Sequence, residues 1–274
     1  MITGRALLAG VMGWPVAHSL SPILHNYWLE QTGIDGAFVP LPVAPQDLRP
    51  AFAALPKLGF RGWNLTVPHK EAALHLVDEI DDEARAIGAV NTVTVRADGS
   101  LLGSNTDAYG FIANLRAHHA ALDSCLERVL VIGAGGAARA VVHALHRAGA
   151  REVIIVNRTR ARAEALCAPG GRALDWGERE KALAHATLLV NATTLGMRGQ
   201  PPLELSLEHL PRETLVADIV YVPLMTPLLR EALARGNAIV TGIGMLIHQA
   251  VPGFTSWFGA VPPLDATLEE RLLA

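Results

Sequence analysis

The chain carries 20 arginines but only three lysines, Lys57, Lys70 and Lys181. A guanidinium keeps its proton at any ordinary pH, whereas an ammonium can release one when its surroundings favour it. A lysine retained in so arginine-rich a chain is a candidate proton carrier, and Lys70 has the setting for that work. It follows Gly62-Trp63-Asn64-Leu65-Thr66-Val67, which reads as the end of a strand, and it closes Pro68-His69-Lys70, where a helix is expected to start. Thr66 and Lys70 therefore mark one strand-to-helix junction, and the positive end of a helix dipole disfavours an idle cation there. Ser19 and Ser21 occupy the same kind of place beyond the first strand, in His18-Ser19-Leu20-Ser21-Pro22. Ser21-Pro22 has the form of an N-cap with proline at the first helical position, so capping is the ordinary use of this pair. Ligand binding beyond a strand's C-terminal end is the functional one. Asn91 begins a further strand, and Asp107 sits in the first turn of a helix expected to run from Ala108 to about His118, where a carboxylate suits the dipole.

A second kind of chemistry is written in Val129-Leu130-Val131-Ile132-Gly133-Ala134-Gly135-Gly136-Ala137-Ala138-Arg139. An apolar β-branched run, a glycine cluster and a helix-forming run give the order strand, tight turn, helix. Missing side chains let backbone N–H groups approach a pyrophosphate, and the helix N-terminus adds partial positive charge. The next strand, residues 153–156, follows after one helix length, as a βαβ unit requires. In NAD-binding units an acidic residue ends that second strand and holds the ribose hydroxyls. Here the place is taken by Asn157-Arg158-Thr159, with Arg160 and Arg162 beyond it. A guanidinium can bind a 2′-phosphate through paired charge-assisted hydrogen bonds, so the unit suits NADP better than NAD. Arg160 is the arginine that best fits a purely solvated role.

The elements that must position these groups alternate along the chain. Strands are expected at residues 6–12, 37–43, 60–67, 129–132, 153–156, 186–191, 214–220 and 238–240. Helices are expected at 21–32, 45–55, 78–87, 108–118, 137–148, 226–235 and 245–258, and a hairpin turns at 97–100. The fold class is α/β, with two mainly parallel sheets. An N-terminal substrate domain, residues 1–107 completed by 243–274, and a Rossmann-type NADP-binding domain, residues 108–242, would leave a cleft between them. The polar, alanine-rich stretch 119–127 reads as a bridge between domains. At 274 residues, half of them hydrophobic, the chain can build two cores. A net charge of −3 and the lack of a basic block argue against nucleic acid as a partner. No apolar run reaches the roughly 18 residues of a membrane span. Two cysteines, Cys125 and Cys167, make neither a disulfide framework nor a metal cluster, and a cytoplasmic address is the simplest. No histidine pair has metal-ligand spacing. The partner expected is a small-molecule substrate, and the chain could act as monomer or homodimer.

The set A-H-S-L-S-P, N-L-T-V-P-H-K, G-A-V-N-T, S-N-T-D, G-A-G-G-A-A-R, N-R-T, N-A-T and G-M-L-I-H-Q-A resembles the shikimate dehydrogenases, in family order from residue 6 to about 255. The resemblance implies reversible NADPH-dependent reduction of 3-dehydroshikimate to shikimate, on the route to chorismate and the aromatic amino acids. It implies that Ser19 and Ser21, helped by Tyr221, bind the substrate carboxylate. Thr66, Lys70, Asn91, Asp107 and Gln249 would surround the ring hydroxyls, with Lys70 and Asp107 as the catalytic pair. Gly133, Ala134, Gly135, Gly136 and Ala137 would form the pyrophosphate loop. Asn157, Arg158, Thr159 and Arg162 would hold the adenosine phosphate, Ile219 and Gly242 would line the nicotinamide pocket, and Asp82 falls at a further cofactor position. Ser104 departs from the family pattern, which commonly has a larger or acidic residue before N-T-D. Two alternatives stand beside this reading. A quinate/shikimate dehydrogenase usually has an acidic group where Arg158 stands, and a non-catalytic nucleotide-sensing module would not need Lys70 and Asp107.

Overall fold

The computed structural model describes residues 2–167, 171–265 and 267–273. The chain divides into two compact units, one formed by Met1–Thr106 with Gln249–Ala274, the other by Asp107–His248.

The first unit runs β1 (Leu7–Gly13), α1 (Ser21–Thr32), β2 (Gly36–Pro42), α2 (Leu48–Ala54), β3 (Phe60–Leu65), β4 (Glu79–Ile80), α3 (Asp82–Ile87), β5 (Thr92–Val95) and β6 (Leu101–Ser104). The sheet order is β2-β1-β3-β5-β6-β4. β1 is parallel to β2 and β3, while β5 turns back antiparallel between β3 and β6. Met12, Phe52, Trp63, Leu65 and Val93 share one core cluster. Each such fully buried side chain contributes on the order of 1.5–3 kcal/mol. Gly62 is required by packing: a Cβ there would overlap the Trp257 indole and the Val93 carbonyl, which the indole N–H contacts at 3.0 Å.

The second unit runs α4 (Asp107–His118), β7 (Arg128–Ile132), α5 (Gly136–Arg147), β8 (Glu152–Val156), α6 (Arg160–Glu164), β9 (Arg172–Leu174), α7 (Arg179–Ala182), β10 (Leu188–Asn191), β11 (Leu215–Asp218), α8 (Pro227–Arg235) and β12 (Ile239–Val240). Its order, β12-β11-β10-β7-β8-β9, is all parallel and reverses direction at β7 and β10, the doubly wound arrangement of dinucleotide-binding sheets. The β-branched run 129–132 is fully buried in the centre of this sheet. α9 (Ile243–Phe258) begins in the second unit and ends in the first, where α10 (Thr267–Leu273) follows.

Three local expectations change. No α-helix follows Pro68; residues 66–71 form a turn, and a short 3-10 segment runs Ala72–His75. The Lys70 carbonyl accepts from the Val90 N–H at 2.9 Å, and Leu74 N–H bonds to Glu71 instead of reaching back four residues. The acidic stretch is split: Glu79–Ile80 pairs with β6, and Asp81, whose carboxylate accepts from the Ala84 N–H at 2.7 Å, starts a shorter helix. The stretch 119–127 holds a 3-10 turn, Leu122–Cys125, inside the second unit. β9, α7 and α10 had no counterpart in the sequence reading. Among the described residues no helix is long and apolar enough to cross a membrane, and no cluster of three metal-capable side chains exists.

Candidate functional site

In the first unit the polar residues gather at the C-terminal ends of β1 and β3 and where β5 begins. Ser19 is half-buried and Ser21 is 5% exposed. Ser21 is the first residue of α1 rather than its cap; Leu20 holds the cap position and makes no side-chain bond. Ser19 Oγ instead accepts the Ser21 N–H at 3.3 Å. Proline at the start and no acidic residue in the first turn leave this helix end electropositive. Thr66 is tied to the end of β1, its N–H donating to the Met12 carbonyl at 2.9 Å. Gly13 allows that approach, because a Cβ on it would overlap the Thr66 methyl. Lys70 is half-buried in the turn after Thr66. Its neighbour His69 is buried, and its Nε2–H donates to the Val43 carbonyl at 2.7 Å, which ties the turn to the segment after β2.

Asn91, Thr106 and Gln249 form one buried network from three distant stretches of chain. Asn91 Nδ2 donates to Thr106 Oγ1 at 3.0 Å and to Gln249 Oε1 at 3.3 Å. Asn91 Oδ1 accepts from the Thr106 N–H and from Thr92 Oγ1, both at 2.9 Å. Asn64 supports it from β3, its Nδ2 donating to Thr92 Oγ1 at 3.1 Å. Asn64 and Thr92 belong to this cluster, although the sequence reading passed over both; the alternation of N-L-T and N-T at two strand ends was the available signal. Ser104 donates to the Thr92 carbonyl at 3.3 Å, a bond within the hairpin. Asp82 is exposed in the first turn of α3, and Asp81 does the capping.

The second unit holds the glycine turn. Gly133 has φ +113°, and a Cβ there would stand 2.7 Å from the Thr193 methyl and 3.0 Å from the Ala192 carbonyl. Ala134 is buried behind it. Gly135 is the cap residue of α5 and Gly136 its first residue; added Cβ atoms at both would meet nothing within 4 Å. As a glycine, the cap residue offers no side chain to the first turn, and no acidic residue stands there. Ala137 is half-exposed in that turn. An uncapped helix start beside two glycines with open space around them fits a pyrophosphate. At the end of β8, Asn157 Nδ2 donates to the Thr159 carbonyl at 2.9 Å and shapes the loop. Arg160 is engaged by Glu164 at 2.8 Å and Asp175 at 2.9 Å. Arg158 and Arg162 are exposed and enter no ion pair among the described residues. This donor set, cationic and without a carboxylate, fits a 2′-phosphorylated cofactor.

At the ends of β10 and β11 the structure places a feature that sequence reasoning missed. Asp218 is 2% exposed and accepts three hydrogen bonds, from Asn191 Nδ2 at 3.0 Å, the Val220 N–H at 2.9 Å and Thr226 Oγ1 at 2.8 Å. Burial outweighs these bonds and pushes its carboxyl up to about 6. Just beyond it, Ile219 and Tyr221 are half-buried, and burial raises the Tyr221 phenol as well. Gly242 lies against Ile219: a Cβ there would be 2.5 Å from the Ile219 carbonyl carbon.

Comparison with known proteins agrees along the whole chain. The family model for the shikimate dehydrogenase substrate binding domain matches residues 11–93, that for shikimate / quinate 5-dehydrogenase matches 116–196, and that for the shikimate 5′-dehydrogenase C-terminal domain matches 242–270. A shikimate dehydrogenase (NADP(+)) of Paramagnetospirillum magneticum is 56% identical over 276 residues, covering 100% of both chains. The structure of a shikimate 5-dehydrogenase from Thermus thermophilus in complex with NADP(H) and shikimate is 41% identical, with a TM-score of 0.86 over 97% of this chain and 98% of that one. A quinate dehydrogenase from Corynebacterium glutamicum in complex with NAD is 32% identical, with a TM-score of 0.92 over 98% and 99%. The backbone is thus shared by both, while sequence identity is higher, 41% against 32%, toward the Thermus thermophilus enzyme in complex with NADP(H) and shikimate. On its motifs, its doubly wound second unit and these matches, the chain belongs to the shikimate dehydrogenase family.

Proposed function

We propose that this chain catalyses the reversible reduction of 3-dehydroshikimate to shikimate with NADPH, in the cytoplasm, on the route to chorismate and the aromatic amino acids. The observation that carries the choice of cofactor is the end of β8, where Asn157-Arg158-Thr159 replaces the usual carboxylate and, among the described residues, Arg158 and Arg162 enter no ion pair. The likeness to NADP-dependent relatives supports the same choice. Gly133, Ala134, Gly135, Gly136 and Ala137 would hold the pyrophosphate, and Ile219 and Gly242 the nicotinamide side. Bound there, NADPH supplies the hydride that the ketone carbon accepts.

The chain's own residues do the rest. Ser19 and Ser21 donate hydroxyl hydrogen bonds to the substrate carboxylate beside the N-terminus of α1, with Tyr221 as an additional hydroxyl. Thr66, Asn91 and Gln249 bind ring hydroxyls, and the Asn91 network fixes which atoms each can offer. The Lys70 ammonium donates a hydrogen bond to the ketone oxygen as negative charge develops and passes its proton to that oxygen. In the oxidation direction the same amine takes the proton back. Asp107 is the carboxylate assigned to the pair with Lys70, a charge that would favour the ammonium form. Asp82 is left outside this assignment as an exposed helix-start residue.

Steady-state kinetics with NADP+ and NAD+, each against shikimate and quinate, test the reading. The expected result is a kcat/KM highest for NADP+ with shikimate. Equal or better turnover of quinate with NAD+ would favour the reading that the quinate dehydrogenase neighbour represents, and no reduction of either cofactor would favour a sensing module.

A further inference from the structure

A dinucleotide over a doubly wound sheet lies across the C-terminal ends of the strands, one half on each side of the switch point. In the second unit that point is the β7–β10 boundary, marked by the glycine turn. The adenosine half belongs on the β8 side, with Asn157, Arg158 and Arg162. The other half then lies over the ends of β10 and β11, residues 191–195 and 218–221. These two segments have no regular structure beyond the strand ends, and one side chain joins them. Asp218 takes the Asn191 amide with one oxygen and the Thr226 hydroxyl with the other, and its first oxygen also holds the Val220 N–H. Asn191 in turn accepts from the Thr193 N–H at 3.1 Å and its hydroxyl at 2.7 Å, and Thr193 is the residue packed against Gly133. The Ile219 N–H donates to the Asn191 carbonyl at 3.1 Å, and the Ile219 carbonyl lies against Gly242. A continuous run of contacts thus links the pyrophosphate turn to the segment ending at Tyr221, with Asp218 at its centre.

We propose that Asp218 is a positioning residue for the nicotinamide half of the cofactor: through Asn191, the Val220 amide and Thr226 it sets where Ile219 and its neighbours stand. The inference rests on the NADP-dependent reading above. A carboxylate suits the place because all three partners donate to it. Thr226 Oγ1 accepts from the Leu229 N–H at 3.3 Å, so its own proton is directed at Asp218. An amide at residue 218 would turn an N–H toward one of these donors.

The test is calorimetric titration of the full-length protein and its variants at pH 8, with NADP+ and with adenosine 2′,5′-bisphosphate, which carries the adenosine end alone. Shikimate oxidation by the same samples is followed in parallel. Asp218→Asn is expected to weaken NADP+ about tenfold and lower kcat by a similar factor, while the bisphosphate changes by less than about twofold. Thr226→Ser keeps the hydroxyl and should follow the wild type; Thr226→Val should lose NADP+ affinity selectively. This pair decides the matter if Asp218→Asn does not fold. Equal losses for both ligands, no loss for either, or Thr226→Ser behaving as Thr226→Val would overturn the positioning role while leaving wild-type activity intact. Failure of the wild type to bind NADP+ would instead sink the functional reading, and this inference with it.

Discussion

Lys70 is placed by backbone bonding rather than by a helix. Its carbonyl pairs with the Val90 N–H, which anchors the turn to the segment leading into Asn91. Removing the side chain leaves that anchor in place. Lys70→Ala should therefore keep the fold and the KM for shikimate within a few-fold, and should lower kcat by about 10²–10⁴, the range of a lost general acid. A loss expressed mainly in KM would show that Lys70 binds and does not transfer the proton. The residue types here were legible because lysine is rare in this chain and because serines and glycines fell at strand ends. Asp218 was not legible, since its partners lie 27 and 8 residues away and its role exists only once β10, β11 and α8 are assembled. Asn64 stands in a visible N-L-T motif, but its pairing with Thr92, 28 residues on, exists only once β3 and β5 lie side by side.

At the scale of elements, two glycines that look alike in sequence should answer one substitution in opposite ways. A Cβ at Gly242 meets backbone, the Ile219 carbonyl and the Val220 carbonyl, neither of which can rotate away. Gly242→Ala should cost about 1–3 kcal/mol in urea unfolding. Gly135 looks on open space and has φ −91°, which alanine accepts. Gly135→Ala should leave stability within about 1 kcal/mol while weakening NADP+, because the added methyl takes space meant for the pyrophosphate. A Gly135→Ala protein that binds NADP+ as well as wild type would remove that turn from the cofactor site. Element order was readable from apolar runs and punctuation. The helix expected after Pro68 failed because one carbonyl found a partner 20 residues on, a long-range bond that local pattern does not encode.

For the whole molecule, two buried groups bend the pH dependence of stability in opposite senses. His25 is fully buried, neither ring nitrogen has a hydrogen-bond partner among the described residues, and its ring stacks on Phe38 at 3.9 Å. Desolvation lowers its pKa from 6.5 to about 3. The unfolded chain then binds a proton that the folded one refuses, so stability is full above about pH 6.5 and is lost as pH falls toward 3. Asp218, raised from 3.8 to about 6, does the reverse: the folded state binds the extra proton, and its contribution declines as pH rises through that window. His25→Phe keeps the stack and removes the titration. Between pH 7 and pH 4.5 it should lose about 2–3 kcal/mol less stability than wild type, read from urea midpoints at the two pH values. Identical losses would mean that His25 does not limit acid stability.

The His25 cluster also says when the protein can finish folding. Its rings come from Trp28 and Phe38 near one end of the chain and from Phe254 and Trp257 near the other. Trp28 further donates to the Pro263 carbonyl, and Tyr27 to Asp265. On the ribosome the first unit is the first to begin and the last to close. Its opening six strands must wait, with Trp28 and Phe38 uncovered, while 142 residues of the other unit are made between Asp107 and His248. At about 5–20 residues per second that wait is on the order of ten seconds. The inserted unit, by contrast, is one uninterrupted stretch of chain and can fold as soon as it emerges. During synthesis that aromatic face of the first unit stays uncovered until Phe254, Trp257 and the segment through Asp265 arrive to close it.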